Sequence, residues 1–250
     1  MAAVHKVVGV IPARYGATRF PGKPLAMIAG RSLVARVYDR AARAKSLAEV
    51  IVATDDERIL EYCRDQGIAA MMTSDTHQSG TDRVGAVAQQ RPAQAYVNIQ
   101  CDEPLIPPEA LDELVDKAFE ADAGIATLVS PLDSTDRDTL SDPNVVKTAV
   151  GEDSYALYFS RFPIPYPRNP DHAKHYRHVG VYYFRRDALV KFIGLTPTTL
   201  ENAEGLEQLR ALEAGMRILA VSYPYAPVGV DVPGDVKRVE EILQREGELT

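Results

Sequence analysis

Short apolar runs alternate along the first half of the chain with longer stretches whose apolar residues recur on one face. Val7–Pro12, Val50–Thr54, Ala69–Thr73, Tyr96–Gln100 and Ile125–Val129 read as strands, each a brief and nearly continuous apolar run. The stretches between them read as helices. Ser32 can cap the first and set Leu33, Val34, Val37, Tyr38 and Ala41 on one face. Asp55 or Asp56 can start the second, which carries Ile59, Leu60 and Cys63; a third covers Asp82–Gln90 and a fourth Pro108–Ala121. Strand, helix, strand, helix is the order of an α/β fold with a mostly parallel, doubly wound sheet. Ligands of such sheets bind at the carboxyl ends of the strands, and the polar motifs of this half follow Pro12, Thr54, Thr73 and Gln100.

The second half has a different rhythm. Val145–Val150, Tyr155–Phe159 and Val179–Phe184 read as strands without long helices between them, and Pro163–His178, rich in Pro, Arg and His, reads as a loop or flap. Helical patterning returns near Leu206–Ala214 and Pro233–Arg245. With no linker, repeat or low-complexity tract, the expectation is one domain with an inserted antiparallel subregion; two lobes around a cleft is its looser version.

Composition narrows the class of protein. The chain has 250 residues, 46% of them hydrophobic, enough for a substantial core. No apolar run approaches the roughly 18 residues that cross a membrane, so no membrane insertion is expected. The N-terminus enters its first strand without a signal-peptide pattern. The two cysteines, Cys63 and Cys101, have no metal-ligand spacing, and a reduced, cytoplasmic chain with free thiols is expected. The net charge of -7 argues against bulk binding of nucleic acid but allows a local cationic pocket for a small anion.

Such a pocket is suggested by VVGVIPARYGATRFPGKPL, residues 7–25. A strand empties into a loop carrying Arg14, Arg19 and Lys23, with Gly16 and Gly22 for flexibility and Pro21 and Pro24 for stiffness. Glycine lets backbone approach a ligand, and Arg and Lys supply charge opposite a polyphosphate. It is neither a P-loop, since Lys23 is followed by Pro24, nor a dinucleotide fingerprint, since no Gly-x-Gly-x-x-Gly run occurs. Asp102 and Asp231 both follow short apolar stretches and suit Mg²⁺, which takes one or two carboxylates beside phosphates and waters. Spacing alone favours two turn carboxylates, Asp102 before a proline and Asp231 the same or a helix cap, and does not make them meet in space. Ser79–Arg83, SGTDR, can cap a helix, and the same turn can read a pyrimidine edge.

These motifs, with VATDDERI at 52–59, NIQCDEPLI at 98–106, DPNVVK at 142–147, YFSRFPIPY at 158–166, HVGVYYFR at 178–185, LEQLR at 206–210 and VGVDVPGDVKRVE at 228–240, occur in an order that resembles the sugar nucleotidyltransferases. In detail they resemble the cytidylyltransferases for 3-deoxy-D-manno-octulosonate (Kdo), over nearly the whole chain. The resemblance implies a Rossmann-like nucleotide-diphospho-sugar transferase fold, with residues 1–130 and 215–250 as nucleotide-binding core and 131–214 as sugar-binding and dimerisation subregion. It implies transfer of CMP from CTP to Kdo, giving CMP-Kdo and pyrophosphate for lipopolysaccharide biosynthesis, with Mg²⁺ as cofactor and a homodimer as the assembly. Matched positions make Lys23, Arg14, Asp102 and Asp231 catalytic, with Asp102 and Asp231 holding the metal. Arg14, Lys23, Ser79, Gly80, Thr81, Arg83 and Gln100 become nucleotide contacts. Gln100, Arg161, His178, Tyr182, Glu207 and Gln208 become sugar contacts, with Arg161 on the substrate carboxylate. A related sugar acid, 8-amino-Kdo or a sialic-type acid, and a non-catalytic nucleotide-sugar binding subunit are the alternatives. The chain departs from the family in a shorter, more basic segment at 165–178 and in the residues flanking Asp231.

Overall fold

A computed structural model describes residues 6–16 and 20–247. By internal contacts the chain parts into two compact units, Met1–Asp112 with Pro227–Thr250, and Glu113–Ala226.

The first unit is built on β1 (Val7–Ala13), whose residues are buried except for half-buried Pro12. A small antiparallel ribbon, β2 (Met27–Ile28) and β3 (Arg31–Ser32), leads into α1 (Leu33–Ala41). That helix begins where the Ser32 hydroxyl accepts from the Ala35 amide at 3.2 Å. Then follow β4 (Glu49–Thr54), α2 (Glu57–Asp65), β5 (Ala70–Met72), α3 (Gly80–Gln90), β6 (Ala95–Asn98) and α4 (Pro108–Glu120). Of the two candidate caps for α2 it is Asp56 that accepts from the Arg58 amide, which leaves Asp55 for another partner.

The strands pair in parallel in the order β6-β1-β4-β5. From β1 the sheet grows one way through β4 and β5, and the chain then returns to place β6 on the other side of β1. The loops that leave β1 and β6 therefore diverge, and the crevice at their carboxyl ends is the topological switch point where ligands bind in such sheets.

The second unit contains β7 (Ile125–Leu132), α5 (Arg137–Ser141), β8 (Lys147–Val150), β9 (Ala156–Ser160), β10 (His175–Arg185), α6 (Arg186–Ile193), α7 (Thr199–Glu204), α8 (Leu209–Glu213) and β11 (Ile218–Ser222). Its order is β11-β7-β10-β8-β9, with β11 parallel to β7 and the other pairs antiparallel. The α/β class, the parallel sheet and the antiparallel part are as read from the pattern. Two details differ. The expected loop Pro163–His178 ends inside β10, because His175–His178 pair with Val129–Leu132 despite their polarity. Other short elements, the β2–β3 ribbon, helices α5, α6 and α7 and strand β11, were not anticipated; two to eight residues carry too little periodicity to declare their type.

After this unit the chain returns to the first as α9 (Asp235–Arg245). Val239 and Leu243 of α9 join Val230, Ile28, Leu33 and Leu105 in one buried cluster. That packing brings the segment around Asp231 back to the strand ends of the first unit.

Candidate active site

The loop after β1 is closed by Gly22, whose amide donates to the Tyr15 carbonyl at 2.9 Å. Gly22 has φ 71°, and a Cβ there would lie 3.1 Å from the Tyr15 ring, so only glycine suits this corner. Lys23 and Pro24 open a 3-10 turn directly after it, which aims Lys23 at the switch point. Asp102 stands four residues beyond the end of β6, in the other diverging loop. Its carbonyl accepts from the Val230 amide at 2.9 Å, which fixes the return of the chain next to Asp102. Asp235 then accepts from the Asp231 and Val232 amides at 2.8 and 2.9 Å and holds the Asp231 turn open. The result is a convergence: Lys23 Nζ lies 2.9 Å from Asp102 Oδ2 and 3.6 Å from Asp231 Oδ1. Spacing could not bring these two carboxylates together; the tertiary structure does.

They border a cavity of 440 Å³. Arg14, Ser79, Gly80, Arg83 and Gln100 line it with them, as do His77, Gln78, Phe20 and Cys101, which the sequence reading had not assigned. Arg14 is exposed and has no bonded partner among the described residues. Arg19 lies outside the described residues. Burial pushes the Cys101 thiol well up, so this cysteine stays protonated and is no nucleophile. His77 could have been found only by position, since it sits two residues before the Ser79 cap with no ligand spacing around it.

Ser79 caps α3 in a reciprocal box: its hydroxyl accepts from the Asp82 amide at 3.1 Å, and the Asp82 carboxylate accepts from the Ser79 amide at 3.0 Å. A Cβ on Gly80 would lie 3.3 Å from Pro12, so glycine lets the start of α3 seat against the end of β1. Thr81 is buried and accepts from Asn98 Nδ2 at 3.3 Å, which joins α3 to β6 rather than presenting Thr81 to the cavity.

The remaining sugar-side candidates belong to the second unit. Across an irregularity between Val179 and Tyr182, β10 carries His178 and Tyr182, whose rings lie 5.3 Å apart. Thr127 gives its one hydroxyl proton to the Val181 carbonyl at 2.8 Å, so its oxygen accepts from His178 Nε2 at 3.0 Å. Burial lowers the His178 pKa to about 3, which keeps the ring neutral with Nδ1 as acceptor. Burial, with the Glu207 carboxylate adding to it, raises Tyr182 well above the usual phenol range. Glu207 and Gln208 follow Gly205, which ends α7 at φ 62° and turns the chain toward α8.

Arg161 is not an open cation. Its Nε donates to the Glu204 carbonyl at 2.7 Å, NH1 to Pro143 at 2.9 Å and NH2 to Gly205 at 3.4 Å. Lys147, fully buried, donates to the Asp142 carbonyl at 2.9 Å and to the Arg161 carbonyl. These two cations tie the 142–147 segment, the end of β9 and the turn before Glu207 into one framework.

The donor chemistry fits Mg²⁺. Two carboxylates from different loops converge on one cationic atom, and oxygen donors of this kind, completed by substrate phosphates and water, are what Mg²⁺ takes. Among the described residues no group of three or more His, Cys, Asp or Glu could form a protein-only cage.

A parallel sheet with cations and paired carboxylates at its switch point defines a nucleotidyl-transferring class of protein. Residues 8–218 match the cytidylyltransferase family, and the chain belongs to that family. It is 46% identical to the 3-deoxy-manno-octulosonate cytidylyltransferase of Geobacter sulfurreducens, over 95% of this chain and 99% of that one. It is 48% identical to the protein of the same name from Geobacter metallireducens, over 96% and 98%. The solved structure of CMP:2-keto-3-deoxy-manno-octonic acid synthetase complexed with CTP superposes with a TM-score of 0.91 at 41% identity, covering 96% of this chain and 99% of that one. A 4-diphosphocytidyl-2C-methyl-D-erythritol synthase from Anaerococcus prevotii, at 13% identity and TM-score 0.65, covers 97% of this chain and 100% of that one and shares the fold.

Proposed function

We propose that this protein transfers CMP from CTP to Kdo, forming CMP-Kdo and pyrophosphate. The observation that carries this is the meeting of Lys23, Asp102 and Asp231 at the switch point of a chain 46% identical to an enzyme so named. Arg14 and Lys23 bind the triphosphate and oppose the charge that gathers on the α-phosphoryl oxygens and on the departing pyrophosphate. The turn at Ser79–Gly80, with Arg83, takes the cytidine. Asp102 and Asp231 would hold Mg²⁺, which would supply positive charge against the phosphates and favour ionisation of the attacking hydroxyl. The sugar's anomeric hydroxyl is the nucleophile, and positioning with charge stabilisation makes a covalent enzyme intermediate unnecessary.

In the second unit His178, Tyr182, Glu207 and Gln208 take the Kdo hydroxyls and carboxylate, and Arg161 supports them; in the first, Gln100 belongs to the nucleotide cavity. The neutral His178 ring offers Nδ1 as an acceptor, and the protonated Tyr182 offers a hydroxyl. A homodimer through the second unit is part of the same reading; Leu157, Phe162 and Tyr166 are 66%, 73% and 82% exposed there, more than a solvated surface favours. The reaction belongs to the cytoplasm, where CTP is made. The two cysteines are free thiols, as such a compartment keeps them. No helix among the described residues is long and apolar enough to cross a membrane.

The test is pyrophosphate release from CTP, UTP, ATP and GTP against a panel of Kdo, 8-amino-Kdo and sialic-type acids. CTP with Kdo gives the highest kcat/KM. Comparable turnover with a purine triphosphate sinks the cytidylyl assignment, a preference for another acid replaces the sugar, and CTP binding without turnover favours a binding subunit.

A further inference from the structure

Among the described residues two arginines line the nucleotide cavity, and they are held differently. Arg14 is exposed and unpaired among the described residues, whereas the Arg83 side chain is 4% exposed and meets Asp55, itself 17% exposed, with NH2 to Oδ2 at 2.5 Å. Both protons of Arg83 NH1 are used, on Thr73 Oγ1 and the Ser74 carbonyl at 2.9 Å each. Thr73 Oγ1 accepts there because its own proton goes to the Thr54 carbonyl at 3.1 Å. Three fixed points therefore clamp the guanidinium to the ends of β4 and β5. Of its five N–H donors, Nε–H and one proton of NH2 remain.

We infer that Asp55 is a positioning residue for nucleotide binding, which holds Arg83 at the cavity wall with its charge cancelled so that Arg83 recognises a neutral acceptor, the pyrimidine carbonyl, rather than phosphate. A buried guanidinium without a paired carboxylate is strongly unfavourable, so Asp55 sets both where Arg83 sits and what it attracts. Arg14 and Lys23 supply the charge that a triphosphate needs. The inference rests on the proposed use of CTP.

The test is equilibrium titration, with Mg²⁺ present, of the wild type, Asp55→Asn, Arg83→Gln and the double variant, using CTP and inorganic pyrophosphate as separate probes. Asp55→Asn weakens CTP by about tenfold, the loss of one charge-assisted contact, and leaves pyrophosphate unchanged. In the Arg83→Gln background the same change adds nothing, because its effect passes through Arg83. Equal weakening of both probes, or a full additional loss in the double variant, overturns the inference. If Asp55→Asn does not fold, Asp55→Glu, which keeps the charge and moves the carboxylate, must show the same split between probes; no split there overturns it as well. Since the readout is binding, failure to form CMP-Kdo would count against the proposed function and leave this test intact.

Discussion

Cations are used in opposite ways in the two units. In the first, Lys23 and Arg14 both stand in the loop that leaves β1, at a cavity, and Lys23 is opposed by two carboxylates, Asp102 from the loop after β6 and Asp231 from the returning chain. In the second, Arg161 and Lys147 are turned onto backbone carbonyls, and what they hold together is the ground on which Glu207 and Gln208 stand. The difference teaches that residue type and motif do not separate a ligand-facing cation from a framework cation. Which of the two a residue becomes depends on whether strand ends diverge around it or loops close over it. Loss of a cation in the first unit should appear in rate, and loss in the second in sugar affinity together with stability.

The largest effect tests the first half of that contrast. Asp102→Asn and Asp231→Asn each lower kcat by about 10²–10³-fold with an unchanged thermal midpoint, because each removes charge stabilisation from the transition state. Steady-state rates across a Mg²⁺ titration check this; near-normal turnover at limiting Mg²⁺ would falsify the metal assignment.

Arg161 sharpens the other half. Arg161→Ala raises the Kdo KM by about tenfold to a hundredfold with little change in the CTP KM. It also lowers the thermal midpoint, since three carbonyls lose their donor. Arg161→Lys restores only part of both, as a single ammonium cannot span the three acceptors that the planar fork reaches. A variant that loses CTP affinity and keeps Kdo affinity would invert the division between the units.

The smallest effect is one of pH. His178 is held neutral by burial, with a folded pKa of about 3 against an ordinary value of 6.5. Between these values the unfolded chain binds a proton that the folded chain does not. Stability therefore falls as pH drops through this window, by up to about 1.4 kcal/mol per pH unit from this group. Denaturant melts at pH 7 and pH 5 should show a smaller loss in His178→Asn than in the wild type. Equal losses would mean that His178 titrates normally in the folded protein.

Much of this protein is set by the chain alone. The first four apolar runs, each followed by a polar motif and separated by one-sided helices, point to a parallel sheet with its chemistry at the carboxyl ends; the fifth, Ile125–Val129, pairs antiparallel with β10 in the second unit. The ordered motifs likewise determine the family. Only the tertiary structure decided that Asp231, 129 residues from Asp102 by their numbering, returns beside it; that depends on α9 packing through Val239 and Leu243, a nonlocal burial that no local spacing encodes. It also decided that Asp56 caps α2 while Asp55 takes Arg83, although either carboxylate was suited to the cap. And it decided that Arg161 closes on carbonyls, since backbone acceptors that become neighbours only on folding compete for the same donors a ligand would use.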